Sequence, residues 1–86
     1  MDQGTIGEIR LFAGNFAPKY WAFCDGQLLS VQENTALFSI LGVNYGGDGR
    51  TTFGLPKMTA INGGGASNGF PVRYVICLQG TYPQRD

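Results

Sequence analysis

Hydrophobic and polar positions alternate from Thr5 to Ala13, so this stretch reads as a strand. Ile9 and Leu11 point one way; Glu8, Arg10 and Phe12 point the other. Phe12 on the polar side means that this side is covered in part, by another element or another chain. Residues 1–4 ahead of it read as a loose lead-in or an interface arm. Gly14-Asn15 and Pro18 then break the alternation into a loop. Tyr20 to Cys24 reads as a second, aromatic-rich strand, and Gln27 to Leu29 as a short third. The Asp25-Gly26 pair between them suits the positive φ angles of a tight hairpin.

At Ser30 the period changes. Ser30 and Glu33 spell S-x-x-E, a capping box, in which the Ser30 hydroxyl accepts from the Glu33 amide and the Glu33 carboxylate from the Ser30 amide. A helix is predicted to follow to about Leu41, with Ala36, Leu37, Ile40 and Leu41 as its buried stripe. Gly42 stands where a C-terminal cap needs a left-handed residue. A helix this short must be held by tertiary packing. Asn44 to Arg50 is a glycine-rich loop, and Thr51 to Leu55 a strand stopped by Pro56. Residues 57–71 read as a flexible loop, with Asn62 to Gly69 its least structured part. Val72 to Leu78 is a strand with a nearly continuous apolar run, suited to burial on both faces at the centre of a sheet or at a subunit contact.

These elements predict a mainly β fold, small α+β in class: one antiparallel β domain over residues 1–86 with a single short helix packed on it. The first and last strands should both lie in the central sheet. The expected core is Ile9, Leu11, Trp21, Leu37, Ile40, Leu41, Phe53, Val75 and Cys77.

Size sharpens this picture. A chain of 86 residues makes a domain that buries only about 60–65% of its unfolded surface, and such domains often gain stability by assembly. Charged residues are 14% of the chain, against the ~25% of an ordinary soluble domain, so little keeps copies apart. Zero net charge and the absence of a basic block argue against nucleic acid as a partner. No apolar run is long enough to span a membrane. The start lacks the basic and apolar regions of a signal peptide, so work outside a cell would imply another route of export.

Candidate chemistry is sparse. There is no histidine, which removes the usual general base and the commonest metal ligand. Ser30 and Ser39 therefore have no triad partner, and Cys24 has no evident activating base. Cys24 and Cys77 form no CxxC motif and read as two buried, reduced thiols rather than a disulfide. NYGGDG lacks the GK[ST] ending of a phosphate loop and reads as a tight glycine turn. Neither Asp25 nor Asp48 sits among the alternating oxygen ligands of a calcium loop. Nothing brings Glu8 and Glu33 together as an acid–base pair. Trp21, Tyr20 and Tyr45 suit core or interface better than sugar stacking. The expectation is no catalytic residue, no cofactor and no metal.

The order of these pieces resembles the phage tail collar family, including the bacterial microcystin-dependent proteins. The resemblance rests on GEIRLFAGNFAP, WAFCDGQLL and ENTALFSILGVNYGGDGRTTFGLP within residues 7–56, and on the terminal RYVICLQGTYPQRD. It implies a β-rich collar module of tail fibres and related extracellular fibres, trimeric, structural or attaching rather than enzymatic. The chain looks like a short form. Longer members continue after the LP with an Asp-Leu-Arg-Gly-Arg-like segment and a long glycine-rich region, whereas LPKMTAINGGGASNGFP runs into the last strand here, with Lys57 where an acidic residue is usual. Phe12, Tyr20, Tyr45, Val75 and Tyr82 are the expected interface residues. The partner is expected to be a homo-oligomer, a trimer stacked into a filament, with other fibre proteins beside it. The alternative is an attachment module that binds a glycan or surface receptor through Trp21, Tyr45 and the glycine loops. Phage and cellular origin both fit.

Overall fold

The computed structural model describes residues 4–62 and 71–84. Among them the elements are β1 (Ile9–Phe12), β2 (Trp21–Phe23), β3 (Leu28–Ser30), α1 (Thr35–Leu41), β4 (Thr52–Gly54), β5 (Ile61–Asn62) and β6 (Pro71–Cys77). β6 is the centre of the main sheet, with β1 antiparallel on one side and β2 antiparallel on the other. β5 pairs with the start of β6, and β3 and β4 form a separate antiparallel ladder. The result is a small α+β fold of mostly antiparallel strands, with first and last strands adjacent.

The apolar run of β6 divides between the two faces of this sheet. Ile76 stands opposite Ala22 and joins Ile6, Cys24, Leu37, Phe53 and Leu55 in a core between the sheet and the layer made by α1, β3 and β4. The Phe38 and Phe53 rings meet there, 5.4 Å apart. Val75 and Cys77 turn to the other face and pack with Trp21. Burying a side chain the size of Leu37 or Phe53 stabilises by about 1.5–3 kcal/mol, so the helix is held by its inner face.

Trp21, Leu37, Phe53, Val75 and Cys77 are buried, and Ile40 and Leu41 partly so. Ile9 and Leu11 are not core residues: they are 39% and 49% exposed. They do share one face, since Ile9 stands opposite Ile76 and Leu11 opposite Tyr74, on the core side of the sheet. But β1 is the sheet's edge, and the layer that covers β6 and β2 leaves these two side chains uncovered. Ile6, Leu55 and Ile76 take the core places instead.

The first strand begins at Ile9 rather than Thr5. The Glu8 amide donates to the Thr5 carbonyl at 2.9 Å, closing a turn with Gly7 at φ 87°. Gly7 donates to the Cys77 carbonyl at 3.0 Å and the Cys77 amide donates to the Glu8 carbonyl at 2.9 Å, so two residues oppose one, a glycine bulge. The bulge turns Ile6 into the core. Asp25-Gly26 is not a hairpin turn either. Gly26 does have a positive φ of 78°, but β2 pairs with β6 and β3 with β4, so the chain crosses there from one sheet to the other. Residues 24–27 bond across to 55–58, through Cys24 to Met58 and Gln27 to Leu55.

The helix begins at Thr35, later than the capping box implies, because Ser30 is still paired to Thr52 in β3. The Ser30 hydroxyl accepts from the Glu33 amide at 3.3 Å, but this closes a turn ahead of the helix. Asn34 is the N-cap, and its side chain donates back to the Ser30 carbonyl. Gly42 ends the helix at φ 59°. The stretch read as loop over 57–71 contains β5, and most of Asn62–Gly69 lies outside the described residues, as do residues 1–3 of the lead-in.

Candidate assembly surface

Three of the five expected interface residues meet on one face of the main sheet. Phe12 and Tyr20 pack, half-buried, against the cluster of Trp21, Val75 and Cys77. Val75 itself is fully buried in its own chain, between Arg10 of β1 and Phe23 of β2. It is therefore not available to another copy. The second apolar face of β6 is covered from within, by Phe12, by Phe23 and by Ala17 and Tyr20 of the segment that joins β1 to β2. Tyr20 lies just before β2 and holds a φ of 72°, a conformation rare for a side chain of its size.

Two arginines flank this face. The Arg10 guanidinium lies 5.0 Å over the Trp21 ring and donates to Glu8 at 2.7 Å. Glu8 also accepts from the Thr5 amide, and these two bonds, Arg10 first, hold its carboxyl below the ordinary range. Arg73 lies 3.6 Å over Phe23 and donates to Asp25 at 2.7 Å. Trp21, only 4% exposed, has no ring face left for a sugar.

Tyr45 and Tyr82 lie apart from that cluster. Tyr82 shares a 2.6 Å hydrogen bond with Ser39 of α1, and both of these tyrosines are half exposed. Tyr45 sits in the glycine-rich loop, beside two exposed residues that periodicity did not mark: Leu28 lies against Gly46 and Val43 against Gly49. Phe16, in the segment between β1 and β2, is another. Val43 and Phe16 lie in loops, where an apolar residue has no period, and Leu28 opens a strand of three residues, too short to show one.

The loop itself is organised by Asp48. One of its oxygens accepts from the amides of Arg50 (2.8 Å), Thr51 (2.8 Å) and Thr52 (3.0 Å), and the other from the Thr51 hydroxyl (2.8 Å). These bonds, led by that from Thr52, hold its carboxyl well below the usual carboxylate range. Asp48 is thus an internal turn clamp with its lone pairs engaged. Cys24 is a poor nucleophile: burial first, and the charge of Asp25 second, push its thiol up to about 11. Cys24 and Cys77 are both buried and neither is in a disulfide. They lie in the clusters on opposite faces of the main sheet, which is why they do not pair.

A family model described as the phage tail collar domain matches residues 7–61, from the glycine bulge to β5. No curated protein and no solved structure matches the chain.

Proposed function

The chain belongs to the phage tail collar domain family, and on that premise we propose that it is a trimer-forming structural subunit of an extracellular or tail-like fibre. The family match carries this reading: the family is a structural one, and its model covers well over half of the chain. The surface is compatible with it. Ile9, Leu11, Phe16, Leu28, Val43, Tyr45 and Tyr82 are all exposed on a chain with few charges, and apolar surface of this kind is stabilised by assembly. Phe12, Tyr20, Tyr45 and Tyr82, which retain exposure, are the interface residues of this reading, whereas Val75 is buried within its own chain. Trimers that stack head to tail make a contact that does not close, so a filament of the short, microcystin-dependent-protein-like form would follow. No helix among the described residues is long and apolar enough to cross a membrane.

Sedimentation at micromolar concentration tests the proposal. Trimers, or particles that lengthen with concentration, are expected. A well-folded monomer would sink it, and trimers that never lengthen would keep the collar reading and remove the filament. One observation favours the attachment reading as a second: Tyr45 is 51% exposed on the glycine-rich loop. Reproducible glycan binding that Tyr45→Ala abolishes would support it.

A further inference from the structure

The main sheet has two edges, and they are treated differently. At the β2 edge, the outward amide of Trp21 donates to the Pro18 carbonyl at 3.0 Å, and the Phe23 carbonyl accepts from the Gln27 side chain at 2.9 Å. That edge is capped from within. At the β1 edge nothing comparable occurs among the described residues. Cys77 bonds to Gly7 and Glu8, while Tyr74 and Leu78 bond towards β2. By the alternation of an antiparallel ladder, Arg10 and Phe12 direct their backbone groups to β6, and Ile9 and Leu11 direct theirs outward. Among the described residues no strand lies beyond β1. Ile9 and Leu11 also carry exposed apolar side chains, 39% and 49%, on the sheet's core side. An open edge with an apolar border is a template for one more strand.

We propose that this strand is β1 of a second copy, antiparallel, with Ile9 opposite Ile9. Two observations select that occupant. The capped β2 edge prevents the sheet from continuing head to tail, so the same edge of another copy is the partner the chain itself supplies. The strand is also self-complementary in charge: with Ile9 on the two-fold axis, Glu8 of each copy faces Arg10 of the other. Leu11 then falls opposite Gly7, which has no side chain to obstruct it but lies outside β1 with its amide given to the Cys77 carbonyl, so the ladder is centred on the Ile9 pair. A register shifted to put Arg10 opposite Arg10 would place like charges directly across the ladder, which is unfavourable. The contact is isologous and closes in pairs. It is separate from the three-fold contact proposed above, and a trimer that also uses it becomes a hexamer.

Single cysteines test the register. Directly opposed, hydrogen-bonded residues have Cα atoms about 5.5 Å apart, within disulfide reach. Ile9→Cys should therefore give a disulfide-linked dimer under mild oxidation at micromolar concentration. In the same register two Leu11 positions are about 14 Å apart, so Leu11→Cys should not link. Cys24 and Cys77 are buried and do not compete. Linking at position 11 as efficiently as at 9, or at neither, overturns the proposal. Sedimentation of Ile9→Lys gives an independent reading, with its fold checked by circular dichroism. The variant should halve the parent's mass, from two copies to one or from six to three. A parent of three copies that the variant leaves at three removes the edge contact and keeps the trimer. A parent of two copies that falls to one keeps the edge and removes the trimer.

Discussion

At Asp48 one carboxylate closes an entire turn, bonded to three successive amides and a hydroxyl. Those bonds favour the charged form, so the folded carboxyl titrates below its unfolded value of about 3.9. The sign follows: their contribution is complete above the unfolded value and is lost as pH falls through the folded one. Asp48→Asn should be less stable than the parent at pH 7, and its stability should fall less between about pH 5 and pH 2; thermal unfolding at a series of pH values checks this, and parallel curves would refute it. Gly47 in the same turn has φ 90°, and a Cβ there would lie 2.6 Å from the Thr52 carbonyl oxygen. Gly47→Ala should cost at least the ~1–2 kcal/mol of a left-handed side chain, measured by urea denaturation. The two thiols should remain unreactive to a disulfide reagent at neutral pH until the protein is unfolded, and immediate labelling of either in the native state would contradict their burial. The sequence showed NYGGDG as a tight turn but not its clamp. The signal was present as an aspartate followed at three and four positions by threonines, a pattern suited to side-chain-to-backbone bonds.

Local chemistry in the elements was more legible than their pairing. The capping box contains one of its two hydrogen bonds, from the Glu33 amide to the Ser30 hydroxyl, Gly42 has its positive φ, and of the Asp25-Gly26 pair Gly26 has one. What each serves was decided by tertiary pairing, which no local motif encodes. Ser30 pairs with Thr52, so its hydroxyl holds a turn instead of the helix, and β2 prefers β6 to β3. The consequence is quantitative. The Ser30–Glu33 bond is long, 3.3 Å, and exposed, so Ser30→Ala should cost about 0.5 kcal/mol, the low end for a lost hydrogen bond. Leu37→Ala should cost about 2–5 kcal/mol, because it opens a cavity at the helix's buried contact. Equal denaturation midpoints for the two variants would mean that the Ser30 turn supports α1 as strongly as the packing of Leu37 does.

For the whole molecule, periodicity identified the faces of the strands but not their depth. Ile9 and Leu11 share a face with the core and yet border solvent, because depth depends on whether a strand is at the centre or edge of its sheet. The same ambiguity governs β6, whose doubly apolar run fits a sheet centre and a subunit contact equally well. The chain resolves it in favour of the centre, and this separates two substitutions that would otherwise look equivalent. Val75 has no exposed surface and sits between β1 and β2, so an aspartate there buries an unpaired carboxylate inside the protomer, a penalty of several kcal/mol. In a small domain with a total stability of roughly 5–15 kcal/mol, Val75→Asp should abolish the fold, with loss of the near-ultraviolet signal of Trp21. Phe12 is only half-buried and lies at the end of an edge strand. Phe12→Asp leaves its charge a route to water, so the domain should stay folded with a lowered denaturation midpoint, and on the trimer reading it should sediment as a smaller species than the parent. If Phe12→Asp instead keeps the parent's mass while remaining folded, Phe12 serves only its own chain and the three-fold contact must lie elsewhere on the surface.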